Sequence, residues 1–264
     1  MKSLLLLLLP AVLGANGKNV CRVNNRILGG VRADKSEFPG LVYLQINSWN
    51  GTGVLRTQCG GSMISEHWVL TAAHCLTPED PSEQFLSVWV YPTKGSYQNI
   101  KSTDVIIHEE YDKIRNDNDI ALIRLPVPMS SIDPHSKITP IPAQDQELTN
   151  TEVTVVGWGV TSTKEALFPT YLQKLEHFPV NQTLCQRTQY SPSKVLCHYP
   201  TRATGTPCPG DSGGPVFMDG LQVGIVSFTG TFRYYFLPGF VIEINTRVSG
   251  YRDWIDAKIR SDTS

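Results

Sequence analysis

From Leu41 onward, short apolar runs alternate with clusters of turn residues. Leu41–Ile46, Trp68–Leu70, Phe85–Tyr91, Asp104–His108 and Ile120–Leu125 are rich in β-branched and aromatic side chains, which fit a pleated, half-buried strand. Pro126 to Pro142 is proline-rich, interrupts the pattern and reads as a connection. A second set follows: Glu152–Val156, Tyr171–Val180, Pro215–Met218, Leu221–Phe228 and Phe240–Ile244. Many short strands without intervening helices favour a sandwich or a barrel. The helical period is clear only at the end of the chain. There Tyr251, Trp254, Ile255, Lys258 and Ile259 share one face, and Ser249 suits the N-cap. No repeat of solenoid length is present.

The start of the chain has a different pattern. Met1-Lys2-Ser3 precedes an apolar run from Leu4 to Leu9, and Leu13-Gly14-Ala15 offers small residues for cleavage. This reads as a secretory signal peptide over residues 1–15. The run is too short to span a bilayer, and Pro10 and Gly14 interrupt it. Asn16 to Arg26 is polar and short, which suits a propeptide better than a domain. Residues 27–264 then form the working domain, with halves at about 27–135 and 136–264.

Charge adds an exclusion. Of 23 basic residues, Lys2, Lys18, Arg22 and Arg26 lie in the first 26 positions, which hold no acid. The remainder carries 19 basic against 24 acidic residues, a formal charge of −5. No Lys/Arg-rich run appears, so neither nucleic acid nor heparin is expected as a primary partner, and with no later apolar run long enough to span a bilayer no membrane is expected either. Secretion makes disulfides plausible for the six cysteines, which alone allow 15 pairings. It also makes Asn50-Gly51-Thr52 and Asn181-Gln182-Thr183 candidate glycosylation sites.

Cys208-Pro209-Gly210-Asp211-Ser212-Gly213-Gly214-Pro215 carries the candidate chemistry. Taken alone it is as good a turn as a site, because Pro, Gly, Asp and Ser are turn residues. A nucleophilic serine, however, needs an exposed hydroxyl and backbone N–H groups aimed at a developing oxyanion. Gly210 lets the chain turn so that its own N–H and that of Ser212 point into one space. Thr71-Ala72-Ala73-His74-Cys75 supplies a base, and Asn118-Asp119-Ile120-Ala121-Leu122 supplies a carboxylate entering an apolar run. Nucleophile, base and orienting acid are the three parts of Ser-His-Asp catalysis.

These segments resemble the chymotrypsin-like (trypsin-fold) serine endopeptidases. The resemblance includes Arg26-Ile27-Leu28-Gly29-Gly30, Cys59-Gly60-Gly61-Ser62, Val156-Gly157-Trp158-Gly159 and Val223-Gly224-Ile225-Val226-Ser227. The pieces fall in family order from Ile27 to the terminal helix. The resemblance implies an all-β fold of two six-stranded antiparallel barrels with a C-terminal helix. It makes Ser212 the nucleophile, His74 the general base and Asp119 its orienting acid, with Gly210 and Ser212 as oxyanion donors. It implies a zymogen, activated by another protease that cuts after Arg26 and frees the Ile27 ammonium to meet Asp211. Protein or peptide substrates and protein inhibitors are the implied partners, and a monomer is expected.

The family pattern selects Cys59–Cys75 and Cys185–Cys197 as disulfides. Cys21 and Cys208 are left over: free, paired with each other, or bridged to another chain. No metal and no cofactor are expected. Family members that bind calcium use glutamates in a loop that here reads Tyr91-Pro92-Thr93-Lys94-Gly95-Ser96-Tyr97, without an acid. The primary pocket by family position takes Thr206 at its floor, with Pro207 also in the pocket, Ser227, Phe228 and Thr229 as one wall and Pro238-Gly239 as the other. A neutral Thr206 cannot repay the desolvation of a buried substrate cation. The expected pocket is uncharged and narrow-mouthed, and takes small to medium apolar residues. Two other functions stay open on sequence alone. One is a non-catalytic homologue acting as a binding or regulatory module, with Pro209 and Cys208 as the departures beside the site. The other is an esterase with related triad chemistry, which the segment order disfavours.

Overall fold

The structure is a computed structural model describing residues 30–78, 80, 82–96, 98–148, 152–159, 170–179, 185, 189–200, 209–234 and 237–262. Its strands fall into two antiparallel sheets. The first is built from β2 (Leu41–Trp49), β3 (Val54–Ser65), β4 (Trp68–Thr71), β5 (Gln84–Tyr91), β6 (Ile100–Ser102), β7 (Val105–Ile107) and β8 (Ala121–Arg124). The second holds β1 (Val31–Arg32), β9 (Val153–Gly157), β10 (Gln173–Pro179), β11 (Val195–Pro200), β12 (Pro215–Met218), β13 (Leu221–Tyr234) and β14 (Leu237–Arg247).

Each sheet closes on itself. In the first the order is β6-β5-β2-β3-β4-β8-β7, so the end strands are sequence neighbours. Ser102 causes the break between them: its hydroxyl donates to the Arg124 carbonyl at 2.6 Å and accepts from the Asp104 N–H at 3.0 Å. The chain bends there and pairs with β5 before the bend and β8 after it. In the second sheet β10 also pairs with β9, which closes a ring of six strands with β1 added at its edge. The two six-stranded barrels expected from the family resemblance are therefore present.

Alternation along the strands builds the cores. One cluster fills the first barrel with Val42, Leu44, Met63, Leu70, Val88 and Leu122, and extends to Ile255 of the terminal helix α2 (Arg252–Asp262). Val153, Val155, Leu196, Val216 and Val223 fill the second. Leu41, Tyr43, Val156 and Trp158 lie together between them. The seam also holds a buried polar stitch, Ser62 Oγ donating to Gln222 Oε1 at 2.5 Å. One expected detail fails: Ser249 does not cap the helix. It lies in the 3-10 turn Val248–Tyr251, where its hydroxyl accepts from Arg247 Nε at 3.0 Å, and the α-helix begins at Arg252.

Candidate active site

His74 sits on α1 (Ala73–Leu76), a single turn that follows β4 directly. Asp119 lies just before β8, the strand paired with β4, so the sheet brings both side chains to one rim. The Asp119 carboxylate accepts from the His74 backbone N–H at 2.8 Å through Oδ1 and meets the His74 ring Nδ1 at 2.7 Å through Oδ2. With Nδ1–H donating to a carboxylate, the ring presents Nε2 as the acceptor.

Two residues of the second barrel complete the acid's surroundings. Ser227 Oγ donates to Asp119 Oδ2 at 2.5 Å, and Thr246 Oγ1 donates to the Asp119 carbonyl at 2.7 Å. Ser227 was expected only as a pocket wall. Its contact with Asp119 joins residues 108 positions apart, so no local pattern signals it. Asp119 is 1% exposed. Burial pushes its carboxyl up, but the His74 charge and the hydrogen bonds from His74 and Ser227 outweigh this and hold it below the ordinary carboxylate range.

The sign of the linkage follows from that shift. A depressed folded-state value contributes stability above the unfolded one, and the contribution is lost as pH falls through the folded value. The stability gap between the native chain and Asp119→Asn is expected to shrink as acid protonates Asp119. Thermal unfolding of both proteins from neutral pH into the acid range measures this, and a constant gap would contradict the assignment.

Ser212 follows Asp211 in the turn before β12 and is half-buried. Gly210 has φ 99° and Gly213 φ 74°, left-handed values that a side chain resists. At Gly213 space also decides, because a Cβ would fall 2.3 Å from Thr71 Oγ1 and 2.8 Å from the Gly60 carbonyl. The Ser212 carbonyl is pinned by the Gly60 N–H at 2.8 Å. Asp211 is fully buried, and Oδ1 accepts from the Gly159 N–H at 2.7 Å. A Cβ on Gly157 or Gly159 would lie 2.2 Å from an Asp211 carboxylate oxygen, which explains both glycines of Val156-Gly157-Trp158-Gly159.

A cleft of about 570 Å³ brings His74, Gly210 and Ser212 together, with Cys59 and Cys75 in its wall. Cys59–Cys75 is a disulfide, as is Cys185–Cys197. The sulfurs beside His74 are thus bonded to each other and offer no thiolate to a metal. Asn50 stands at the tip of the β2–β3 hairpin, its Oδ1 accepting from Thr52 N, Thr52 Oγ1 and Gly53 N at 2.8–3.0 Å. Arg26, Ile27, Thr206, Pro207, Asn181, Cys21 and Cys208 lie outside the described residues. Phe228 packs near Tyr190, ring centroids 5.3 Å apart. The β13–β14 register sets Glu243 across from Thr229. Gly239 lies four residues along β14, roughly 13 Å away at strand spacing. Glu243, 1% exposed, was not foreseen, because the acid sits in an ordinary apolar strand pattern.

Two closed β-barrels carry an imidazole bound to a buried carboxylate, and a serine turn rich in left-handed glycines faces the same cleft; this is the class of serine endopeptidases. The trypsin family model matches residues 27–255. The chain is 31% identical to trypsin Tyr p 3.0101 of Tyrophagus putrescentiae, over 91% of this chain and 83% of that one. It is 32% identical to a trypsin of Phaedon cochleariae, over 88% of each, and 31% identical to human putative trypsin-6, over 91% and 92%. Among solved structures, human heparin binding protein aligns with a TM-score of 0.65 at 25% identity, covering 87% of this chain and 95% of that one. The chain belongs to the trypsin family of serine proteases.

Proposed function

We propose that the protein is a secreted endopeptidase made as a zymogen. Residues 1–15 act as signal peptide, 16–26 as propeptide and 27–264 as the peptidase domain. Cleavage after Arg26 by an activating protease frees Ile27. Ser212 attacks the scissile carbonyl, and His74 takes the hydroxyl proton and returns it to the leaving amine. Asp119 holds the imidazole in the tautomer this needs and stabilises the imidazolium that forms. The N–H groups of Gly210 and Ser212 receive the oxyanion. The observation that carries the reading is the double contact of Asp119 with His74, at 2.8 and 2.7 Å, beside the cleft that holds Ser212. Labelling of the activated protein by a fluorophosphonate tests it; label that misses Ser212 would overturn it. Among the described residues no helix is long and apolar enough to cross a membrane.

Cleavage is proposed after small to medium apolar residues such as Ala, Val or Leu, with large aromatics second and Lys or Arg poor. The support is a neutral Thr206 and a β-branched Thr229 in a wall. Each methylene that fits or fails is worth about 1–3 kcal/mol, so discrimination among apolar residues is modest. Glu243 favours a second reading, because a buried carboxylate across from Thr229 suits a cationic substrate side chain. A peptide panel varied at the residue before the cut separates the two by kcat/KM. On the first reading Ala exceeds Arg, and Thr229→Gly raises Phe relative to Ala. A preference for Arg that collapses in Glu243→Gln selects the second.

A further inference from the structure

The disulfide Cys59–Cys75 forms part of the wall of the cleft that holds Ser212, and His74 stands against it. His74 Nε2 lies 3.9 Å from Cys75 Sγ. The two sulfurs and a nitrogen of this ring all fall within 4.8 Å of one another. The peptidase reading uses the imidazole and leaves the sulfurs as a crosslink.

Once the sulfurs are no longer bonded to each other, the same three atoms make a metal-ligand set. Zinc holds thiolate sulfur at about 2.3 Å and imidazole nitrogen at about 2.0–2.1 Å in a tetrahedron, which sets S···N at about 3.6 Å and S···S at about 3.8 Å. The distance from Cys75 Sγ to His74 Nε2 is already close to the first of these. The cysteine Cα atoms stand 6.3 Å apart, so side-chain rotation can part the sulfurs to the second.

His74 is prepared as a ligand through its other nitrogen. Asp119 Oδ2 meets Nδ1 at 2.7 Å, and a ligating imidazole commonly gives its second N–H to a carboxylate, which fixes the ring and raises its basicity. The sulfurs are held in place by the backbone. Cys59 precedes Gly60, whose N–H reaches the Ser212 carbonyl at 2.8 Å, and the Cys75 N–H donates to the Ala72 carbonyl at 3.3 Å. Both cysteines are buried, so little water competes for an ion on their side, while the cleft leaves a fourth position for one water. Two sulfurs and an imidazole suit zinc; calcium and magnesium ask for oxygen.

We propose that two-electron reduction of Cys59–Cys75 converts this wall of the cleft into a zinc site, with Cys59 Sγ, Cys75 Sγ and His74 Nε2 as ligands. The reductant is a dithiol or a trialkylphosphine. A dithiol gives two electrons and two protons and becomes a disulfide; a phosphine gives two electrons, takes oxygen from water and becomes its oxide. Either way the Cys59–Cys75 bond breaks and leaves two thiols, and zinc then displaces their two protons to solvent. The ion occupies the Nε2 lone pair that would accept the Ser212 proton, so the zinc-bound protein loses its general base. The oxidised protein offers the ion an imidazole but no thiolate, and stays insensitive to zinc. The loss of activity rests on the peptidase reading; the site itself does not.

The test uses the activated wild-type protein, either oxidised or reduced with a water-soluble trialkylphosphine that is removed before the ion is added. Cobalt(II) serves as the spectroscopic stand-in for zinc. The reduced protein is expected to give a sulfur-to-cobalt absorption band and the oxidised protein none. Zinc at 100 times its Kd leaves about one site in a hundred empty, so alkylation of Cys59 and Cys75 by iodoacetamide and peptide turnover are each expected to fall about a hundredfold. EDTA is expected to restore both. Asp119→Asn is expected to weaken the metal about 10–100-fold in a cobalt titration, which needs no activity. The site is overturned if the phosphine leaves Cys59–Cys75 intact, if circular dichroism shows the chain unfolding on reduction, or if zinc protects Cys185 and Cys197 equally. A cobalt band that persists in Cys59→Ser/Cys75→Ser also overturns it; where that variant does not fold, the wild-type protection pattern decides. Turnover of the reduced protein that zinc leaves unchanged, or that EDTA does not restore, overturns the block at His74. If the metal binds as stated but the protein cleaves no peptide in either state, the peptidase reading falls and the site stands.

Discussion

Ser212→Ala is expected to lower kcat by about 10⁶-fold, as loss of the nucleophile does in other serine proteases. The residue change removes the one oxygen proposed to attack. The Ser212 carbonyl, not its side chain, holds the Gly60 N–H, so the turn should keep its shape. Far-UV circular dichroism and the thermal midpoint should therefore match wild type while peptide turnover disappears. Asp119→Asn should cost about 10⁴-fold, because an amide can hold the imidazole in the wrong tautomer. Ser227→Ala should cost less, since His74 still reaches both carboxylate oxygens. Burst-phase and steady-state kinetics on the activated proteins give these ratios. Turnover in Ser212→Ala at the wild-type rate would remove the proposed nucleophile.

Blocking cleavage after Arg26 is expected to have the second largest effect. An Arg26→Gln chain should stay inactive when treated with the protease that activates wild type. Asp211→Asn should weaken the fully cleaved enzyme by roughly two to three powers of ten. The reasoning is electrostatic. A fully buried carboxylate is costly unless a cation and hydrogen bonds meet it, and removing one partner of such a pair costs about 3–5 kcal/mol. The Gly159 N–H supplies one hydrogen bond at 2.7 Å. The new Ile27 ammonium is the proposed cation. Gly159→Ala probes the same site by space, since its Cβ would lie 2.2 Å from Asp211 Oδ2. Overpacking of that kind costs about 1–3 kcal/mol or more. Mass spectrometry of the cleavage products beside active-site titration measures all three. Equal activity before and after clean cleavage would refute the scheme.

Much of the fold was legible because apolar alternation marks a strand with one buried face. Pro215–Met218 is a strand over the span the pattern predicts, and most other strands agree within a few residues. The strand β3 was missed for a physical reason. Its sequence holds Gly60 and Gly61, poor strand formers, and four exposed residues at its start. Gly60 is there because a Cβ would come 2.8 Å from Gly214 Cα, a constraint set by the other barrel. β11 hid likewise behind Cys197, His198 and Pro200. His198 proves to be a packed partner of Asn245, with ring Nε2 2.6 Å from the amide nitrogen.

The candidate site divides along the same line. His74, Asp119 and Ser212 stand out because they lie in short motifs with local meaning. Ser227 and Thr246 act on Asp119 across 108 and 127 residues, and Glu243 meets Thr229 only through strand register. Contacts of that range leave no trace in periodicity. The register of β13 and β14 also shifts twice, at Ile225/Phe228 and Phe232/Tyr234, so counting residues from Ser227 to the far wall does not find the facing residue.

The bond from Ser227 to Asp119 bears on the safety of making such an enzyme. A ribosome adds about 5–20 residues each second and releases the first barrel before the second exists. At that stage the nascent chain holds His74 and Asp119, but neither Ser212 nor Ser227. The hydrogen bonds that cross between barrels, such as Ser62 to Gln222 across 160 residues, close only when both halves have left the tunnel. Such distant pairings form slowly. A chain truncated or stalled before residue 212 thus lacks the proposed nucleophile and is expected to show no peptidase activity.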